Sequence, residues 1–176
     1  TASANATLID DFSDKNVATI SVSVLTPPPG AGTVSTTVVT PTANVLGGSR
    51  DTDLLYLAGG PAPTTVATPA VDDVMSIGSG AGNANAETTL TWDGMSGVGL
   101  PGDRFILSYN GWDNLPGIST SFQVTVNDWL SAVETITGDG SGGGVSGTVE
   151  FLYSGFTAGS DPFVGSVDSI QLVVYG

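Results

Sequence analysis

The sequence contains no cysteine and no histidine, and only 3 of its 176 residues are lysine or arginine. Without thiol or imidazole ligands, Cys/His zinc sites, thiol nucleophiles and imidazole-dependent triads are excluded. The scarcity of bases leaves a formal net charge of -14. A surface with so few cations is poorly suited to neutralise phosphates, so we expect neither nucleic acid nor anionic lipid as a partner.

Long hydrophobic runs are also missing. No stretch reaches the roughly 18 apolar residues that a membrane-spanning helix needs, so we expect no membrane insertion. No segment shows a convincing helical period. The chain is long enough to bury a core without disulfides or a metal, and residues 1–176 are predicted to form a single domain.

Strand patterns are abundant instead. Short runs of valine, isoleucine, threonine and aromatic residues alternate with polar ones and are separated by Gly, Pro, Asn and Asp clusters. The predicted strands are 7–12, 17–25, 33–40, 52–58, 71–78, 87–92, 104–109, 119–126, 148–156 and 169–175. This pattern predicts an all-β fold, a β-sandwich of jelly-roll type with roughly ten antiparallel strands and no significant helix. The glycine-rich stretch 138–144 is predicted to be a long hairpin loop.

Carboxylates are the only abundant reactive groups. Glycoside hydrolysis needs two carboxyls that face one another across roughly 5 to 9.5 Å. Glu87, Glu134 and Glu150 lie on or beside separate predicted strands, and nothing in their spacing pairs them. We therefore predict that the protein is not an enzyme. The enzymatic alternative would be a hydrolase built on Glu134 or Glu150.

Aspartates in turn-like contexts favour a hard cation such as Ca²⁺. If the first and last strands pair, Asp10 or Asp11 near the start approaches Asp168, just before the final strand. Asp51 follows a Gly-Gly turn whose carbonyls add oxygen ligands. We therefore predict a structural Ca²⁺ held by Asp11, Asp51 and Asp168. The alternative is that these aspartates cap turns through local backbone hydrogen bonds.

One tryptophan lies among turn formers and is a candidate sugar platform. Trp112 is close in sequence to Asn110 and Asp113, whose side chains can hydrogen-bond hydroxyls while the ring stacks on a sugar face. Trp92 and Trp129 adjoin apolar alternation and are expected in the core. A glycan-binding role for Trp112 and a core role for it both remain open.

Self-association has a direct physical basis. Soluble sandwiches protect their edges with lysine, proline, bulges or short strands, whereas this chain has one lysine, Lys15, and its prolines lie in loops. Residues 1–9 are uncharged and compatible with an extended strand, which a neighbouring subunit could accept through Ala4, Ala6 and Leu8. The alternative is a frayed terminus followed by an ordinary first strand.

The start of the sequence is typical of an exported protein. Thr1-Ala2-Ser3-Ala4 resembles the end left after signal-peptide cleavage, which predicts an extracellular or cell-surface location. Asn5 begins an Asn-Ala-Thr sequon that would accept a glycan in an organism that glycosylates there. A chance match is the alternative.

Four stretches together resemble the exosortase-sorted (PEP-CTERM) class of secreted bacterial surface proteins. They are Leu8-Ile9-Asp10-Asp11-Phe12, Val45-Leu46-Gly47-Gly48-Ser49-Arg50-Asp51, Leu90-Thr91-Trp92-Asp93-Gly94 and Val167-Asp168-Ser169-Ile170-Gln171-Leu172. The first and last are also similar to jelly-roll carbohydrate-binding modules. The resemblance implies a jelly roll, export, a role in a surface or biofilm matrix, and Asp11 and Asp168 as calcium ligands. The Pro-Glu-Pro motif of the sorted class does not occur here.

Taken together, these patterns predict a secreted structural protein, a subunit of an extracellular filament or biofilm matrix that associates with copies of itself. The alternative is a non-catalytic, calcium-stabilised module that binds extracellular polysaccharide.

Overall fold

The computed structural model describes residues 7–10, 20–22, 34–41, 45–58, 64–67, 76–79, 85–113, 116–141, 143–157 and 167–176. Within them the fold is all-β, as predicted, with antiparallel sheets, one 3₁₀ turn at Tyr153–Gly155 and no α-helix. The strands are β1 (Ile20–Val22), β2 (Val34–Pro41), β3 (Ser49–Ala58), β4 (Thr64–Ala67), β5 (Ser76–Ser79), β6 (Asn85–Trp92), β7 (Arg104–Asp113), β8 (Ser119–Val126), β9 (Trp129–Leu130), β10 (Glu134–Thr137), β11 (Gly144–Leu152) and β12 (Ile170–Tyr175).

The large sheet has the strand order β10-β8-β12-β6-β3-β2, and β9 pairs with β8 at one end. Every second residue of β6 is buried, from Ala86 to Trp92, so one face of this strand packs into the core. Leu172 of β12 lies opposite Leu90 on one side and Val124 on the other. These three side chains are buried and form the centre of the core.

A small sheet of β7 and β11 packs over part of this face. Its inward side chains Phe105, Val149 and Phe151 belong to the same core cluster. The Phe105 ring contacts the Tyr153 ring edge-on, with centroids 5.1 Å apart, and lies 6.0 Å from that of Phe156. Such aromatic pairs add to the stabilisation that burial provides. A separate sheet has the order β1-β4-β5.

The predicted pairing of the first and last strands is wrong. β12 is bonded to β6 on one side and to β8 on the other, and a strand has only two edges. β1 pairs with β4 instead. The described part of the predicted strand 7–12 contains only an isolated antiparallel bridge between Asp10 and Val45. The expected approach of Asp11 to Asp168 depended on that pairing, which the order of strands in the sheet does not allow.

The glycine-rich stretch 138–144 is not a hairpin loop. β10, which precedes it, is bonded to β8 in the large sheet, whereas β11, which follows it, is bonded to β7 in the small sheet. The hydroxyls of Ser121 and Thr135 lie 2.8 Å apart across the β8–β10 ladder. The loop therefore crosses between the two layers, because each flanking strand pairs with a different partner.

Candidate functional site

The segment Thr7–Asp10 is fixed to the end of the large sheet. The backbone N–H of Leu46 donates to the Ile9 carbonyl at 2.8 Å, and Asp10 bridges Val45. Ile9 packs against the core, whereas Leu8 is 64% exposed. The segment therefore has a defined place on the molecule and presents one large apolar side chain to solvent.

A buried ion pair holds this segment at Asp10. The Arg50 Nη1 lies 2.5 Å from Asp10 Oδ2, and the two side chains are 0% and 2% exposed. Trp92 Nε1 donates to the same carboxylate oxygen at 2.9 Å. Charges buried this deeply need partners, so the guanidinium, the carboxylate and the indole stabilise one another. Sequence reasoning considered Asp10 only for calcium and missed this role. The signal available was that Arg50 is one of only three basic residues in the chain.

A groove of about 400 Å³ lies between this segment and the small sheet. Val124, Ile170 and Leu172 of the large sheet line it, as do Phe105 and Phe151 of the small sheet. Its other lining residues are Thr7, Leu8, Ile9, Asp10, Trp92, Leu100, Pro101, Arg104, Ile106, Leu107, Ser108 and Tyr153. The walls are therefore mainly apolar and come from both layers of the sandwich.

The groove runs along one edge of β7. Five successive residues, Arg104 to Ser108, line it. Since successive side chains of a strand point to opposite faces, a cavity that touches five in a row must reach the edge of the strand between those faces. The opposite edge of β7 is bonded to β11 along its length. Among the described strands, β7 has no other partner.

The hydrogen-bond alternation shows which backbone groups face this groove. The Tyr153 N–H donates to the Asp103 carbonyl at 2.8 Å, which makes these two residues a hydrogen-bonded pair. In an antiparallel ladder such pairs alternate with non-bonded ones. With the register of β7 and β11, the N–H and C=O groups of Arg104, Ile106 and Ser108 point away from β11. They form the donors and acceptors of a strand edge beside an apolar groove, the arrangement that accepts an extended peptide.

Arg104, which lines the groove, contacts two carboxylates. Arg104 Nε lies 2.8 Å from Asp103 Oδ1, and Arg104 Nη1 lies 2.6 Å from Glu150 Oε2. The hydrogen bond and the positive charge of Arg104 lower the pKa of Asp103. One guanidinium is thus shared by two carboxylates. An acidic peptide would be repelled here, whereas an uncharged one would not.

The predicted calcium ligands lie in different surroundings. Asp11 is outside the described residues. The Asp168 carboxylate accepts the Gly97 N–H at 3.1 Å, and the Asp168 N–H donates to Asn127 Oδ1 at 3.0 Å. Within the described ranges, no three acidic side chains are close enough together to hold a metal ion. A calcium site that includes Asp11 remains a prediction.

Asp51 lies in a negatively charged environment. Burial raises its pKa most, and the charges of Asp93 and Asp53 raise it further. Asp51 and Asp53 are two residues apart on β3 and therefore share one face of the sheet. This face of β3 would be stabilised by a nearby cation.

The predicted glycan-binding residues are placed on or near the end of β7. Trp112 is half-buried, and its Nε1 donates to the Thr120 hydroxyl at 3.0 Å. Asn110 is exposed and accepts a hydrogen bond from the Ser146 hydroxyl at 2.8 Å. Asp113 is the last residue of β7, opposite Gly144. Trp112 thus combines a fixed ring with partial exposure, and its role in binding remains a prediction.

The remaining predicted residues concern assembly and glycosylation. Leu8 lines the groove and is exposed, whereas Ala4, Ala6 and Asn5 lie outside the described residues. Trp92 is 5% exposed and belongs to the core, as predicted.

Comparisons with known proteins add no assignment. No family model, curated protein or solved structure matches this chain. None of the described segments forms a helix of the length and hydropathy that crossing a bilayer requires.

Proposed function

We propose that this protein is a secreted structural subunit of an extracellular filament or surface matrix, which assembles by pairing strand edges. The observation that carries the proposal is the edge of β7, whose backbone groups border an apolar groove. An edge of this kind is a template for another chain.

Exposed apolar side chains near the sheet edges support the proposal. Among the described residues, Ile106 and Leu152, on the two strands of the small sheet, are 60% and 48% exposed. Ile118, Leu130 and Val133, close to the β8–β10 margin of the large sheet, are 42% to 52% exposed. Soluble monomers tolerate isolated exposed leucines. Their position beside strand edges favours an interface.

The edges also lack two of the usual protective residues. β7, β10 and β11 contain neither lysine nor proline. Natural sheets that remain monomeric use these residues to prevent edge-to-edge pairing. Their absence is consistent with edges that are used for association.

Two finer features belong to the same proposal. The two-layer packing is compatible with a jelly-roll sandwich. The resemblance to sorted surface proteins supports export and a matrix role.

Calcium would act on the acidic face of β3, where Asp51 and Asp53 lie together and Asp93 adds its charge. Relief of this repulsion would allow copies of a chain with a net charge of -14 to approach.

The proposal is tested by the mass of the native particle with calcium and with a chelator. We expect polymers in sedimentation and electron microscopy of the full chain, more abundant with calcium. A magnesium sample at equal ionic strength separates specific calcium binding from screening. A strictly monomeric protein at high calcium would contradict assembly.

A second candidate, a carbohydrate-binding module, is favoured by the fixed and half-exposed ring of Trp112 beside Asn110. Glycan-array binding that is lost in Trp112→Ala and kept in Leu130→Ala would support it. No binding to any polysaccharide would exclude it.

A further inference from the structure

We propose that the groove beside β7 is the acceptor site for residues 1–6 of a second copy, which enter as a strand added to the small sheet. This inference rests on the proposed function, and it assigns both the donor and the acceptor of the assembly contact. Two lines of argument carry it: the backbone of the edge and the pattern of the donor.

The acceptor presents the backbone groups that a strand needs. The N–H and C=O groups of Arg104, Ile106 and Ser108 point away from β11, towards the groove. Below them lie the apolar side chains of Val124 and Leu172. An added strand would form a ladder with β7 and would cover the part of the core that the groove opens to solvent.

The donor pattern matches this acceptor. Residues 1–6 read Thr-Ala-Ser-Ala-Asn-Ala, so polar and small apolar residues alternate strictly. In a strand the alanines would share the face towards the core, and the polar residues would face solvent. There is no proline, so every residue can donate its N–H within a ladder. The segment has no charged side chain, which suits a groove whose Arg104 is already paired with Asp103 and Glu150.

The proposed function, association between copies, makes a second copy rather than the same chain the source of this strand. Thr7–Asp10 lines the groove in its own chain and is held there by the Leu46 hydrogen bond and the Arg50 ion pair. The double cysteine variant described below distinguishes the two sources.

This contact joins two different surfaces of the protein, the segment before Thr7 on one copy and the β7 edge on the next. Such heterologous contacts repeat from copy to copy and yield a ring if the rotation closes and a filament if it does not. Residues 7–10 keep their own ion pair in every copy. No subunit needs to unfold in order to donate.

The first test places a proline on each edge of the small sheet. Ser108 and Thr148 are exposed register partners in a non-bonded pair, so their N–H groups point to opposite edges of the sheet. Ser108→Pro removes a donor that faces the groove, and Thr148→Pro removes its counterpart on the far edge of β11. We expect Ser108→Pro to raise the critical concentration for assembly about tenfold or more, and Thr148→Pro to leave it unchanged.

The outcomes separate this inference from the proposed function. If deletion of residues 1–6 abolishes polymers while Ser108→Pro does not, the donor is correct and the acceptor lies elsewhere, which overturns the inference alone. If wild-type protein never assembles, the proposed function fails and the inference fails with it. Equal losses in both proline variants would show that proline acts on the sheet as a whole and would overturn assignment to the β7 edge.

A second measurement does not depend on tolerance of proline. The native chain has no cysteine, so engineered thiols have no competing partner. Protein carrying Ser3→Cys, on the solvent face of the donor strand, is mixed with protein carrying Ser108→Cys or, as the matched control, Thr148→Cys, both at exposed positions. Oxidation is expected to give a mixed disulfide dimer with Ser108→Cys and none with Thr148→Cys.

The double variant Ser3→Cys/Ser108→Cys then identifies the source of the strand. Cross-linked polymers or dimers support a second copy. A cross-linked monomer would show that the chain fills its own groove, and equal cross-linking of Ser108→Cys and Thr148→Cys would show random collision. Either result overturns the inference.

Discussion

At the scale of single residues, the buried pair of Asp10 and Arg50 is the most consequential interaction for the segment that precedes the sandwich. Both side chains are buried, and the Trp92 indole N–H donates a hydrogen bond to the Asp10 carboxylate. A pair of this kind contributes modestly compared with apolar residues of equal volume, but removal of one partner leaves a buried charge without compensation. The interaction therefore specifies where the segment lies.

Asp10→Ala is expected to lower the free energy of unfolding by about 3–5 kcal/mol, because it removes the buried carboxylate that contacts both the Arg50 guanidinium and the Trp92 indole. Urea unfolding followed by tryptophan fluorescence measures this change. Glu150→Ala is the control, since it removes an exposed ion pair with Arg104, and should cost less than about 1 kcal/mol. Equal losses in the two variants would contradict the assignment of Asp10 as a buried anchor.

Asp51 gives a pH-dependent prediction. Burial and the neighbouring Asp93 and Asp53 raise its pKa in the folded state, so the folded protein binds more protons than the unfolded chain above the usual carboxyl value. Stability contributed by the protonated form is complete at low pH and is lost as the pH rises through the folded pKa. Asp51→Asn should therefore stabilise the protein at pH 7, by a few tenths to about 1 kcal/mol.

The measurement is denaturant unfolding of Asp51→Asn and wild type across the acid range. The difference should vanish below about pH 3, where the carboxyl is protonated in both states. Asp128→Asn, a change at an exposed turn position, serves as the control. A gain for Asp51→Asn that is independent of pH would show that charge is not its cause.

The sequence predicted some residue environments well and others not at all. The burial of Trp92 followed from its place in an alternating strand, because alternation reports which face packs inward. The ion pair between Asp10 and Arg50 joins residues 40 apart. The sequence around either residue does not predict this ion pair, because only tertiary packing brings the two side chains together.

At the scale of elements, the turn before β3 and the loop after β6 are in close contact. Gly47 has φ +90°, in the left-handed region that favours glycine. A Cβ at Gly94 would clash with the Gly47 carbonyl oxygen. The two glycines allow the backbones to meet, and this contact lies beside the bridge between Val45 and Asp10.

Gly94→Ala is expected to destabilise the protein by about 1–3 kcal/mol or more, because the clash is with backbone rather than with a movable side chain. Thermal unfolding should show a fall of about 2–4 °C for each kcal/mol in a chain of this size. Gly155→Ala is the control, since a Cβ there meets nothing within 4 Å. A Gly94→Ala variant as stable as Gly155→Ala would contradict the close approach.

Element boundaries could be predicted where alternation is long. The predicted strands 119–126 and 169–175 coincide with β8 and β12 to within a residue. β4, β9 and β10 were missed because four residues or fewer carry too little periodicity to distinguish a strand from a loop. The partners of β10 and β11 could not be predicted, since a glycine-rich connection is equally compatible with a hairpin and with a crossing between layers.

At the scale of the whole molecule, charge opposes association. The formal net charge is -14, and the few cations do not offset it. The range of electrostatic repulsion shrinks from about 30 Å at 10 mM salt to about 8 Å at 150 mM. Contacts between copies therefore become accessible as the ionic strength rises.

We expect the critical concentration for assembly to fall between about 10 mM and about 150 mM sodium chloride, because screening relieves repulsion between copies. Light scattering and sedimentation across this range measure the change. Ser108→Pro at the higher salt concentration is the control. It has the same net charge as wild type, so a difference between the two proteins at this salt concentration comes from the β7 edge and not from charge. Polymers that dissolve as salt is added would contradict a role for net repulsion and would indicate contacts made by ion pairs.

The overall class of the molecule could be predicted from the sequence, whereas the acceptor groove could not. The alternation of apolar and polar residues predicts that a strand packs on one face. It does not predict which strand lies at the edge of a sheet. The groove exists because β7 has β11 on one side while Thr7–Asp10 lies across from it without pairing. That arrangement depends on how distant segments are placed in three dimensions.

The position of β12 within the large sheet has a consequence for biogenesis. It is the last described strand in sequence, yet it lies between β6 and β8 and is hydrogen-bonded to both of them. Until residues 170–175 have left the ribosome, those two strands have nothing to join them at the middle of the sheet. The chain must therefore complete its fold after this segment has been synthesised, so a nascent chain that ends before residue 170 cannot form the continuous large sheet.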